Sequence, residues 1–161
     1  MTQNVYRPHN HSSCVDAALS QAQTLCDQRG ARLTRIRQRV LELVWQSHKP
    51  VGAYDLLPLL AEEGFNSAPP TVYRALDFLL ELGLIHRLTS LNAYVGCTQP
   101  GHAHAASCFF LCRQCGCAQE LESQLYDSIS QKVEAQLGVT VEHQITELSG
   151  LCPNCARSST E

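Results

Sequence analysis

Through the first half of this chain apolar residues recur at three- and four-residue intervals, the spacing that lines one face of an α-helix. From Cys14 to Arg29 the stripe is Val15, Leu19, Ala22 and Cys26, and Gly30 stops it. A second helix is expected to start near Thr34, a good N-cap, with Ile36, Val40, Leu43 and Val44 on one side and Lys49-Pro50 closing it. A third spans Ala53 to Glu63 around Leu56, Leu57, Leu59 and Leu60, and Pro58 should kink it or delay its start. A fourth, Pro70–Leu82, opens on Pro69-Pro70 and stops at Gly83. Val72, Leu76, Leu79 and Leu80 face its core, leaving Thr71, Tyr73 and Arg74 near the exposed first turn. Two short strands follow, Leu84–Leu88 and Ala93–Cys97, joined by Thr89-Ser90-Leu91-Asn92. Three helices, a fourth presented by its N-terminus and a hairpin make a winged helix-turn-helix. That arrangement sends a helix N-terminus into the major groove of DNA and lays the hairpin along the backbone.

The pattern changes after Gln99-Pro100-Gly101, the expected hinge. Ser107–Leu111 and Ala118–Glu122 read as strands. Leu125–Leu137 reads as a helix on Leu125, Ile129, Val133 and Leu137, and Val139–Leu148 alternates as a strand. The fold class is therefore α+β. The expected layout is a flexible tail over 1–13, a winged-helix domain over 14–98 and a hinge over 99–106. A second domain over 107–156 and a tail over 157–161 complete it.

Length and charge add bounds. The 161 residues allow one medium domain or two small ones. No run of 18 apolar residues or secretory segment stands out, so a cytoplasmic location with reduced cysteines is expected. The formal net charge of −3 does not advertise nucleic-acid binding, but the halves differ. Residues 1–98 hold nine Lys/Arg against eight Asp/Glu, and residues 99–161 hold three against seven. Arg29, Arg32, Arg35, Arg37 and Arg39 crowd together, either as a solvated helix face or as phosphate contacts.

The strongest chemical signal is doubled. Cys112-Arg-Gln-Cys115 and Cys152-Pro-Asn-Cys155 are two Cys-x-x-Cys knuckles flanking one amphipathic segment. Four thiolates make a closed tetrahedral zinc site, with a disulfide pairing as the competitor in an oxidising compartment. A domain of about 60 residues is marginal without such a staple, and a small sheet with one helix also favours sharing a core with a second copy. Among the other cysteines, Cys14 and Cys26 fit apolar helix positions, Cys117 could compete as a ligand, and Cys108 has no assignment. His9 and His11 are expected in a solvated tail, with weak metal binding as the alternative.

The chain resembles the Fur family of metal-dependent repressors. The resemblance rests on Arg32-Leu33-Thr34, Ala53-Tyr54-Asp55-Leu56-Leu57, Pro70-Thr71-Val72-Tyr73-Arg74-Ala75-Leu76 and both knuckles, and covers roughly residues 15–156. Within the family it is nearest the zinc-uptake regulators, through Ala75-Leu76-Asp77-Phe78-Leu79, Asn92-Ala93-Tyr94-Val95 and Gly150-Leu151-Cys152. The resemblance implies a winged helix followed by an α/β dimerisation domain, and a homodimer that binds double-stranded operator DNA when zinc is loaded. It implies base contacts from Tyr54 and Arg74, with Thr71, Tyr73, Arg32, Arg35 and Arg37 on bases or backbone. Ordinary packing remains the alternative for Tyr73. An arginine can pair with guanine through two bonds, and a tyrosine ring can pack on a thymine methyl.

By the same resemblance His86, Cys97, His104 and Glu120 form a zinc-sensing site. His102 and Glu122 are alternates, because the spacing from His104 to Cys112 is one residue longer than the family pattern. A mixed S/N/O donor set suits zinc better than magnesium or calcium. A further site using His143 with His102 or a nearby acid is also conceivable. The implied protein is a zinc-responsive repressor of zinc-uptake genes, not an enzyme. It would carry one structural and one regulatory Zn2+ per subunit, with no organic cofactor and no membrane partner. The alternatives are an iron-responsive relative and, in another class, a Cys-x-x-Cys thiol redox protein. No thioredoxin-like βαβ pattern surrounds either pair. A zinc-stapled interaction module that never touches DNA is a third, opposed by the arginine cluster and the Thr71/Tyr73/Arg74 turn.

Overall fold

A computed structural model of the chain describes residues 4–101, 106–122 and 127–158. It divides into two compact units, His9–His102 and a second made of Met1–Pro8 with Ala103–Glu161. Among the described residues no helix is long and apolar enough to cross a membrane.

The first unit holds four helices, α1 (His11–Arg29), α2 (Arg35–Trp45), α3 (Ala53–Glu62) and α4 (Pro69–Glu81). A hairpin of β1 (Ile85–Leu88) and β2 (Ala93–Gly96) follows, antiparallel, with His86 opposite Val95. This is the winged helix read from the sequence. Cys26, Val40, Leu56, Leu60, Val72, Leu76 and Leu79, expected on the apolar stripes, are fully buried, and so is Leu41, which was not; Leu59, expected on the apolar face of α3, is exposed.

Local chemistry moves several boundaries. The first helix begins at His11 rather than Cys14, because the Asn10 side chain accepts from the Ser12 N–H and caps it. Residues 11–13, expected in the tail, are thus its first turn. α2 ends at Trp45, four residues before Lys49-Pro50, and Thr34 stands at its N-cap without a side-chain bond. Pro58 sits inside α3. The Asp55 carboxylate accepts from the Gly52 N–H at 3.0 Å and fixes the start of that helix ahead of the proline. α4 opens on two prolines whose missing N–H groups would have no partner there.

The second unit is a three-stranded sheet in the order β4-β3-β5, with β3 (Ala106–Cys112), β4 (Ala118–Leu121) and β5 (Gln144–Gly150). β3 runs antiparallel to β4 and parallel to β5. Helix α5 (Asp127–Leu137) precedes β5, and a short α6 (Pro153–Ser158) carries the second knuckle. The strand expected over Val139–Leu148 lies further along. Val139–His143 has no partner strand, since pairing starts at Ala106↔Gln144 and runs to Cys112↔Gly150. Residues 157 and 158, expected in the C-terminal tail, belong to α6.

Val5 and Tyr6, expected in the flexible tail, are bonded to the second unit's sheet and α6. Val5 N–H donates to Gln119 Oε1 at 2.7 Å, and Tyr6 Oη donates to the Cys117 and Phe110 carbonyls at 3.2 and 3.4 Å. Asn154 Nδ2 donates to the Tyr6 carbonyl. These bonds satisfy the buried amide of Gln119 and strap residues 5–6 over the second unit.

Candidate metal centres and nucleic-acid interface

The parallel register brings the two knuckles together. It sets Cys112 beside Gly150, and Arg113 N–H donates to the Gly150 carbonyl at 2.9 Å, so the chain leaving β5 must turn past Cys112. Cys112, Cys115, Cys152 and Cys155 then place their sulfurs within 4.8 Å of one another, with Cys115 and Cys152 3.9 Å apart. Four thiolates about 2.3 Å from one zinc ion stand about 3.8 Å apart, so this cluster fits that ion. Backbone N–H groups of Cys152 and Cys155 point at the Cys112 and Cys152 sulfurs at 3.3 and 3.5 Å.

The Cys112 thiol is brought down to about 6, mainly by backbone N–H groups at Cys115 and Cys152. Cys155 is pushed up, first by its hydrogen bond with Cys152, because the thiols share protons where a cation would take the charge. Burial, then the neighbouring Cys112, Cys152, Cys115 and Cys117, raises the Tyr6 phenol. Cys117 lies outside the four-sulfur group, and its carbonyl serves the Cys112 N–H. Cys26 and Cys108 are buried in their units' cores, and burial raises both thiols.

In the first unit, His86 on β1 and Cys97 just after β2 hold donor atoms within 4.8 Å of each other. Hairpin pairing continues through Cys97 N–H to the Leu84 carbonyl at 3.0 Å, which fixes the cysteine across from the histidine's strand. Glu120 is half-buried on β4 of the second unit, opposite Phe109. Glu122 is exposed just past that strand, and His143 is exposed before β5. His102 and His104 lie outside the described residues.

The residues expected at DNA take different postures. Tyr54 on α3 is 68% exposed, and Tyr73 and Arg74 are exposed on the first turns of α4. Thr71 beside them is half-buried. Arg32 and Arg35 are exposed, with Arg35 5.6 Å from the Phe65 ring centroid. Two neighbours are engaged within the fold. Arg37 stacks 3.6 Å from the Phe78 ring centroid and donates to the Arg32 carbonyl. Arg39 makes paired bonds to Glu63 and a third to Glu42, each 2.7 Å. The basic run is thus divided between outward-facing cations and cations that tie α2 to α3 and α4.

A second side-chain cluster was not legible as one site. His9, His11, Cys14 and His48 converge in the first unit, with His9 and His48 Nε2 atoms 2.8 Å apart. Burial, then the neighbouring His11 and His9, lowers His48 to about 4. The His-x-His-x-x-Cys spacing of His9, His11 and Cys14 was its one trace in the sequence.

A winged helix joined to a zinc-knuckle domain defines a DNA-binding metalloprotein by architecture. Residues 28–148 match the model of the Ferric uptake regulator family, and the chain belongs to that family. It is 42% identical over 140 residues to the zinc uptake regulation protein of Escherichia coli (strain K12), covering 85% of this chain and 80% of the relative. The structure is similar to a zinc uptake regulator complexed with zinc and DNA. The TM-score is 0.85 at 38% identity, over 91% of this chain and 98% of that one. It is also similar to holo XcZur, with a TM-score of 0.79 at 40% identity, over 88% and 98% of the two chains. Membership in a family of regulators places the chain outside the enzymes.

Proposed function

We propose that this chain is a zinc-responsive transcriptional repressor that binds operator DNA as a homodimer in the cytoplasm and controls zinc-uptake genes. The four-sulfur cluster carries the metal half of the reading. Zinc there would contribute on the order of 10–16 kcal/mol of apparent binding energy to a domain too small to fold well alone. The DNA half is supported by Tyr54, Thr71, Tyr73 and Arg74 around the first turns of α3 and α4, and by the outward-facing Arg32 and Arg35. Arg37, held on Phe78 and bonded to the Arg32 carbonyl, is the third arginine assigned to this interface. The similarity to a zinc- and DNA-bound regulator favours this reading over an iron-responsive or thiol-redox one.

The regulatory zinc is assigned to His86 and Cys97, with His104 and Glu120 completing the donors and His102 and Glu122 as alternates. On this assignment zinc raises operator affinity by binding the DNA-competent state more tightly than the other. One structural and one regulatory Zn2+ per subunit follow.

The test is operator binding by fluorescence anisotropy across buffered free zinc, with iron and manganese as controls. The wild-type chain is expected to bind tightly only as zinc rises. Arg74→Ala should lose about 1–3 kcal/mol of operator discrimination while keeping its zinc content. Cys97→Ala should keep its helical content and lose the zinc response. Unchanged operator affinity in the first, or persistent zinc dependence in the second, overturns the corresponding assignment.

A further inference from the structure

The cluster of His9, His11, Cys14 and His48 belongs to neither site above. Asn10 caps α1 and turns the chain so that His9 lies just outside the helix and His11 opens it. Cys14 follows His11 by three residues, one turn further along the same face. Its sulfur is buried and lies 3.9 Å from the Asn10 carbonyl. His48 comes from the segment after α2. The three imidazoles meet at ring-centroid separations of 4.5, 4.9 and 5.8 Å, with tilted or edge-on planes.

Four features point to a cation. The donor atoms lie within 4.8 Å of one another, at most about 1 Å wider than the roughly 3.3–3.8 Å between tetrahedral ligands of one zinc ion, a gap that small side-chain rotations close. Three nitrogens and one sulfur fill a tetrahedron and leave no position for a fifth group. Both ring nitrogens of His11 are shielded from solvent without a hydrogen-bond partner. A buried polar atom in that condition is unfavourable, and a metal bond would remove the cost at one of them. The donors also come from two stretches separated by most of α1 and the whole of α2, as expected of a staple rather than a local turn.

We infer that His9, His11, Cys14 and His48 form a third zinc site, which pins the start of α1 to the segment after α2 within the winged-helix unit. Imidazole with one thiolate suits zinc better than the hard cations, and a tetrahedral arrangement does not favour Cu2+. The site is separate from the donors assigned to zinc sensing, so it adds one zinc per chain beyond the structural and regulatory ions.

The experiment uses the full-length chain dialysed against buffered free zinc. Zinc per chain is measured by mass spectrometry of the metal, and amide exchange is followed by peptide. The wild-type chain is expected to hold one more zinc than His48→Ala at the same free zinc. Zinc should slow exchange at least ten-fold in peptides covering 10–16 and 46–50. Cys97→Ala should retain that protection while losing the operator response, which separates this site from the sensing one. Cys14→Ser, nearly unchanged in volume, should weaken the same protection and guards against a folding defect in His48→Ala. Equal zinc content in wild type and His48→Ala overturns the inference, as does exchange at 10–16 and 46–50 that zinc leaves unchanged in the wild type.

Discussion

Gly96 shows how tightly one position can be held. It ends β2, and an added Cβ would meet the Trp45 indole carbons and nitrogen at 2.1–2.6 Å, a contact that no small adjustment relieves. The flat ring of Trp45 occupies the space that any other residue would need. Gly96→Ala is therefore expected to destabilise the first unit by about 1–3 kcal/mol. A lower urea midpoint at unchanged slope would record it, and an unchanged midpoint would show that the indole can swing away. Cys97 is the next residue, so the same variant should also need more zinc for operator binding. None of this was readable in advance, because the glycine meets a tryptophan from a distant helix. The knuckle cysteines were readable, since their spacing alone brings thiols into chelating range. His9 and His11 were not. Polar residues around Pro8 read as tail, and their meaning depends on His48, which only the fold brings to them.

Among the elements, the helices of the first unit followed their apolar spacing because each buries one stripe in a shared core. The strands of the second unit followed less well. Val139 and Val141 alternate as strand residues do, yet alternation does not supply a partner, and β5 exists only where β3 runs beside it. Charge misleads in a similar way. Arg39 belongs to a run with no acid inside it, but its partners Glu42 and Glu63 stand one helical turn away and at the C-cap of the next helix. Its hydrogen bonds hold the Glu63 carboxyl below the usual carboxylate range. A lowered folded-state value means that the bridge stabilises α2 against α3 above the unfolded carboxylate value of about 4.3, and that the stabilisation fades as pH falls through the folded value. Arg39→Ala should thus lower the urea midpoint slightly at neutral pH. The gap to wild type should narrow on acidification. A gap that stays constant with pH would mean that the arginine contributes by packing alone.

At the scale of the whole molecule, the second unit leaves more apolar surface uncovered than so small a domain can well tolerate. Ile129, Val133 and Leu137 recur at four-residue intervals on α5 and stay exposed, Leu137 at 65%. Ile145 and Leu148 are exposed on β5, an edge strand of the three-stranded sheet. Among the described residues its fully buried large side chains come down to Phe109, with cysteines supplying much of the remaining described interior. A second copy of the same face would cover both the stripe and the edge, and a two-fold arrangement does so with one self-complementary patch. The homodimer proposed above gains its physical reason here: zinc holds the domain's interior and the partner covers its exterior. Sedimentation velocity of the zinc-loaded chain should then give a species of twice 17.8 kDa. Val133→Glu, placing a charge at the middle of the stripe, should raise the dimer dissociation constant by at least ten-fold and weaken operator binding in proportion. Its four-cysteine zinc content should be unchanged, because Val133 is exposed on α5 and is not one of the four sulfur donors. If Val133→Glu sediments as the wild type does, the α5 stripe is not the face through which two copies meet.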